Sequence, residues 1–104
     1  MTTRTDQIGS VIRRALARHL LPYEQEHGII TITHVRVLED LSEAHVFVDA
    51  TRSGKRLIET LNRRTGAFAR ELRSSMTQKR TPKLFFRLDE GTVASRRIDE
   101  LLEE

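Results

Sequence analysis

Two runs dense in β-branched residues, joined by five mostly polar ones, do most to limit what this chain can fold into. The first extends from about Ile29 to Leu38. The second is Ala44-His45-Val46-Phe47-Val48-Asp49-Ala50. β-Branched side chains suit a pleated, half-buried surface. The connection Glu39-Asp40-Leu41-Ser42-Glu43 has hairpin length, so the two runs are expected to pair antiparallel. In the second strand Ala44, Val46, Val48 and Ala50 share one face. His45, Phe47 and Asp49 share the other, with Phe47 the apolar exception. The first strand changes phase, since Ile30 and Ile32 point one way and Val35 and Val37 the other. Either both faces are partly buried or a bulge sits near Thr33-His34. Two strands alone are marginal in water. Leu84-Phe85-Phe86-Arg87-Leu88 is therefore expected to join the sheet, with Leu84, Phe86 and Leu88 on one face.

Helical spacing fills most of the remainder. Ile8, Val11, Ile12, Ala15, Leu16 and Leu20 predict a helix over 6–21, ended by Pro22. Arg14 and Arg18 lie on a different face of it, and Tyr23 to Gly28 reads as a short polar connection. A second helix is predicted over 54–64, with Ser53 as N-cap and Leu57, Ile58 and Leu61 inward. After a break, Thr65 caps a third helix from about Gly66 to Gln78, stopped by Thr81-Pro82. A last amphipathic helix is predicted over 93–103. The order α-β-β-α-α-β-α makes an α+β fold with helices on one sheet face. A length of 104 residues suits one domain, residues 1–104.

The charge is unevenly distributed. The whole chain carries a net charge of +3, yet residues 55–87 hold ten Lys and Arg against two Glu, and residues 89–104 are acidic. This asymmetry points to a polyanion-facing surface beside an acidic tail. The candidate RNA contacts are Arg63, Arg64, Gly66, Arg70, Arg73, Lys79, Arg80 and Lys83. Arg70, Arg73 and Arg80 fall along one helical stripe, and Arg63 and Arg64 sit beside a helix start, where free N–H groups attract anions. Gly66 offers a bend that lets a phosphate approach the backbone. The competing readings are a solvated helix face and an ordinary glycine cap. Phe47 and His45 on the open sheet face, with Phe85 beside them, are candidates for base stacking. The alternative is that Phe47 packs under a helix or the N-terminal arm. The acidic end either limits indiscriminate RNA binding, or meets a basic partner, or is a solvated terminus.

Other chemistries lack their residues. There is no Cys, which removes disulfides, thiolate metal sites and a cysteine nucleophile. His19, His27, His34 and His45 have no metal-ligand spacing. Asp40 and Asp89 occupy turns and read as local hydrogen-bond acceptors. No nucleophile elbow or phosphate-binding loop motif is present, so the chain is not expected to be an enzyme. The N-terminal residues lack the apolar core of an export signal, and no run is long and apolar enough to span a bilayer.

The element order and several motifs resemble the type II KH-like fold of the ribosome-binding factor A family. The Thr-rich strand is Ile30-Thr31-Ile32-Thr33-His34-Val35-Arg36-Val37, followed by Asp40-Leu41 and by Ala44-His45-Val46-Phe47-Val48. The helix running into a glycine kink is Leu61-Asn62-Arg63-Arg64-Thr65-Gly66, then Arg70 and Leu72. Pro82, Leu84, Phe86 and Asp89 fit the family's Arg-x-x-Pro-x-Leu-x-Phe run and following Asp, and Ile98 and Leu101-Leu102 fit its last helix. Two positions depart from the pattern. Arg64 stands where the family has Ala in Ala-x-Gly, and Tyr23 to Gly28 lacks the family's Asp-Pro-Arg element.

The resemblance implies a non-catalytic, cofactor-free, monomeric RNA-binding protein of the cytoplasm. It implies binding to the immature small ribosomal subunit near the 5′-terminal and central elements of its 16S rRNA. Late rRNA maturation, importance in the cold, departure before translation and association with an assembly GTPase follow in the same way. Two other functions compete. One is a KH-like binder of flexible single-stranded RNA, which the missing Gly-x-x-Gly disfavours. The other is a protein-binding module without RNA contact.

Overall fold

The computed structural model of the protein describes residues 3–76 and 81–91. The predicted last helix, and the end of the predicted helix over 66–78, lie outside these residues. Helix α1, Arg4–Leu20, starts two residues before the apolar pattern suggests, because Thr3 builds a capping box with Asp6. The Asp6 N–H donates to Thr3 Oγ1 at 3.1 Å, and the Thr3 N–H returns a bond to Asp6 Oδ2 at 3.3 Å.

Pro22 does not end the helical path. It sits at the start of a 3₁₀ turn, Leu21–Tyr23, where its missing N–H costs nothing, and the short helix α2, Glu24–His27, follows. The expected polar connection is thus mostly helical. Gly28 stops it in the left-handed region, at φ 76°, and a Cβ there would lie 2.8 Å from Thr51 Cβ. His27 is buried beside this turn. Its Nδ1 lies 3.1 Å from the Arg52 carbonyl oxygen, which only accepts, so Nδ1 carries the proton.

Strands β1, Ile30–Val37, and β2, Glu43–Ala50, pair antiparallel. Strand β3, Lys83–Leu88, adds in parallel to the other edge of β2, giving the order β1-β2-β3. The phase change in β1 is a bulge. Ile32 pairs with Val48 and His34 with Phe47, leaving Thr33 as the extra residue. This insertion turns Val35 and Val37 to the same face as Ile30 and Ile32. Arg13 of α1 donates to the Ile32 carbonyl at 2.7 Å, which ties the bulge to the helix above it.

The parallel crossover is made by α3, Gly54–Arg63, and α4, Thr65–Arg73. Ser53 stands at the N-cap of α3, but its side chain makes no cap bond and its backbone is left-handed at φ 52°. α1, α3 and α4 cover one sheet face. Ile12, Leu16, Leu57, Leu61 and Leu72 are fully buried against Val46, Val48, Leu84 and Phe86. Phe68 meets Phe86 edge-on, with centroids 5.5 Å apart. Truncating one of these leucines to Ala costs about 2–5 kcal/mol, because such cavities close only partly. No helix among the described residues is long and apolar enough to cross a membrane.

Candidate nucleic-acid interface

The α3–α4 junction turns at Arg64, which has φ −115° and ψ 17°. Arg64 is itself the N-cap of α4, so Thr65 is the first helical residue rather than the cap. Gly66 is exposed within the first turn, and a Cβ built on it would meet nothing within 4 Å. The bend therefore does not use glycine's conformational freedom. Among the described residues no side chain caps the start of α4, so its first N–H groups remain available.

The basic residues of this region divide by what holds them. Arg63 donates to Thr60 Oγ1 at 3.4 Å. Arg64 Nη1 donates to the Tyr23 hydroxyl at 2.6 Å. Arg70 and Arg73 are exposed on α4, and their side chains have no hydrogen-bond or ion-pair partner among the described residues, so their forks stay free for an external anion. Lys83 opens β3, with its ammonium 5.4 Å from the Phe85 ring centroid. Lys79 and Arg80 lie outside the described residues. The described candidates thus come from the α3–α4 turn, the surface of α4 and the start of β3.

The sheet face opposite the helices corrects one expectation. His45 and Phe47 do lie on it, but they are 2% and 3% exposed and offer no open ring to a base. Register sets their neighbours in the sheet. His45 is flanked by Arg36 and Phe85, and Phe47 by His34 and Arg87. Phe85 stacks on His45 at 4.9 Å with ring planes 10° apart, and His34 tilts against Phe47 at 5.7 Å. Arg87 Nε donates to His45 Nδ1 at 2.9 Å, so the His45 proton resides on Nε2, 2.9 Å from Glu43 Oε1. Burial pushes the His45 pKa down, outweighing the Glu43 hydrogen bond. Phe85 remains half-buried at the rim of this stack.

Asp40 and Asp89 act as expected of turn residues, accepting from the N–H groups of Ser42 and Gly91. Asp89 also accepts from the Thr33 hydroxyl, and that bond is the main cause holding its carboxyl below the usual carboxylate range. Among the described residues no group of three or more His, Asp and Glu side chains is placed to hold a metal ion.

One feature has no counterpart in the sequence motifs. A recess of about 350 Å³ opens between the end of α1 and the start of α4, lined by His19, Pro22, Tyr23, Arg64, Ala67, Phe68 and Glu71. His19 Nε2 and Glu71 Oε2 are 3.8 Å apart within it. Tyr23 is the only tyrosine of the chain, a signal in composition but not in pattern.

Comparison with known proteins agrees with this architecture. The profile of the family described as Ribosome-binding factor A matches residues 4–102. The ribosome-binding factor A of Akkermansia muciniphila is 29% identical, in a match covering all of this chain and 86% of that protein. That of Xanthomonas campestris pv. campestris is 28% identical, covering 97% of this chain and 80% of that protein. The crystal structure of ribosome-binding factor A from Thermus thermophilus is similar at a TM-score of 0.73 and 25% identity, covering 81% of this chain and 93% of that one. A homology model of the Thermus thermophilus factor, fitted into a cryo-electron microscopy map of a 30S complex, is similar at a TM-score of 0.70 and 25% identity. That match covers 80% of this chain and 92% of the other.

Proposed function

Because this chain belongs to the ribosome-binding factor A family, we propose that it binds the immature small ribosomal subunit through 16S rRNA and assists late rRNA maturation without catalysing a reaction. The observation that carries this reading is the family match over residues 4–102. The relative fitted into a 30S complex supports it. The chemistry on the surface is compatible. Unpartnered Arg70 and Arg73, with Arg63, Lys83 and the uncapped start of α4, suit phosphate groups, and Lys79 and Arg80 belong to the same proposed contact. Folded rRNA is then recognised by shape and phosphate pattern, with little reading of base edges. Binding shifts the subunit toward one immature arrangement through differential affinity.

The test is co-sedimentation with immature and mature small subunits at two salt concentrations, with large subunits as the control. Selective binding to small subunits that weakens with salt is expected, because each neutralised phosphate releases counterions. Failure of the folded protein to bind any of them overturns the reading. The variant Arg70→Glu with Arg73→Glu should retain the native circular dichroism spectrum and bind more weakly.

A further inference from the structure

We infer that the recess between α1 and α4 is a pocket for one unpaired nucleobase, with Tyr23 and Arg64 as its recognition wall. The inference rests on the RNA-binding reading above and deepens it by naming a nucleotide site. The volume of about 350 Å³ falls within the range of small-ligand pockets. The lining is mixed in the way a base requires. Pro22, Phe68 and the Tyr23 ring supply flat or apolar surface, while Arg64, His19 and Glu71 supply polar groups. Unpaired bases are held by stacking on aromatic or guanidinium planes and by hydrogen bonds at their edges.

Charge decides which part of a nucleotide enters. Glu71 offsets the charge of Arg64 in the recess, so a phosphate gains less there than beside the unpaired arginines of α4. The same carboxylate accepts hydrogen bonds, which favours bases with an exocyclic amino group. The phosphates then remain outside, where the uncapped first turn of α4 adjoins the recess at Arg64. Arg64 is committed to Tyr23 by the 2.6 Å hydrogen bond, which fixes the ring, while its other N–H groups have no partner among the described residues and can donate. Arg64 and Tyr23 come from the two places where the sequence departs from the family pattern, and they are in contact with each other.

The experiment uses the full chain with its single tyrosine replaced by 3-fluorotyrosine, giving one fluorine resonance from position 23. The probes are single-stranded RNA tetranucleotides of adenine, cytosine or uracil, and an abasic strand with the same phosphates. The resonance should shift saturably with adenine and cytosine, less with uracil, and not with the abasic strand. Tyr23→Leu should weaken binding of the adenine strand about tenfold, the scale of one lost base stack. A resonance that no strand moves, or that the abasic strand moves equally, overturns the pocket. Small-subunit binding with an unmoved resonance removes the pocket and leaves the maturation-factor reading. A shifted resonance in a protein that ignores small subunits removes that reading and leaves the pocket.

Discussion

Asn62 and Phe86 exchange two hydrogen bonds across the outer edge of the sheet: Asn62 Nδ2 donates to the Phe86 carbonyl at 2.9 Å, and the Phe86 N–H donates to Asn62 Oδ1 at 2.8 Å. The amide of one side chain thereby takes the place of a neighbouring strand for one residue of β3. It satisfies the backbone of a strand that also sends Phe86 into the core. Asn62→Ala leaves both backbone groups in a partly buried site without that partner. It should destabilise the protein by roughly 1–3 kcal/mol. Urea unfolding measures this, and a midpoint equal to the wild type would mean that water replaces the amide at no cost.

The buried His45 makes stability depend on pH. Its folded pKa is depressed by burial, so the unfolded chain takes up a proton first as pH falls below the ordinary histidine value of 6.5. Stability is complete above that value and declines below it until the folded form also protonates. Protonation additionally removes the acceptor that Nδ1 offers to Arg87. Glu43, Arg87 and Arg36 surround the ring, and of these only Glu43 favours the cation. Denaturant midpoints at pH 7.5 and 5.5 should fall more for the wild type than for His45→Gln. Equal losses would show that His45 is not the source of the pH dependence.

The fold was legible where local pattern suffices. The apolar spacing of α1, the alternation of β2 and the phase slip of β1 each follow from short-range periodicity, and the bulge at Thr33 is the structural form of that slip. The contents of the outer sheet face were not legible in the same way. Alternation places His45 and Phe47 there, but their neighbours Phe85 and Arg87 are set by a parallel register between strands far apart in sequence. The same holds for the recess. Tyr23 and Arg64 are 41 residues apart and meet only once α4 has packed against α1. Nothing local in the sequence marks the role of Asn62, because its partner lies 24 positions away.

Asp89 responds to acid in the same direction as His45 but in a lower pH range, because its folded pKa is also depressed. Its folded pKa lies below the ordinary value of 3.8, mainly through the Thr33 hydroxyl and then the Gly91 N–H. The stabilisation is therefore present above that value and is lost as pH falls through the depressed folded pKa. Asp89→Asn should be less stable than the wild type at neutral pH, and the gap should close on acidification below about pH 4. Thr33→Val should narrow the same gap. An Asp89→Asn deficit that persists unchanged to pH 2 would show that the carboxylate charge is not its source.

Gly66 offers a direct test of where the α3–α4 bend resides. A glycine needed for a turn has a backbone that other residues avoid, and replacing it destabilises. Gly66 instead lies inside α4 without a positive φ, and a Cβ there would face open space. Alanine at this position lowers the entropy of the unfolded chain and favours the helix, so Gly66→Ala should stabilise by roughly 0.5–1 kcal/mol. Thermal unfolding of the two proteins decides the matter. A lowered midpoint would place the bend at Gly66. A raised midpoint together with weaker RNA binding would mean that the absent side chain makes room for a phosphate, not for the turn.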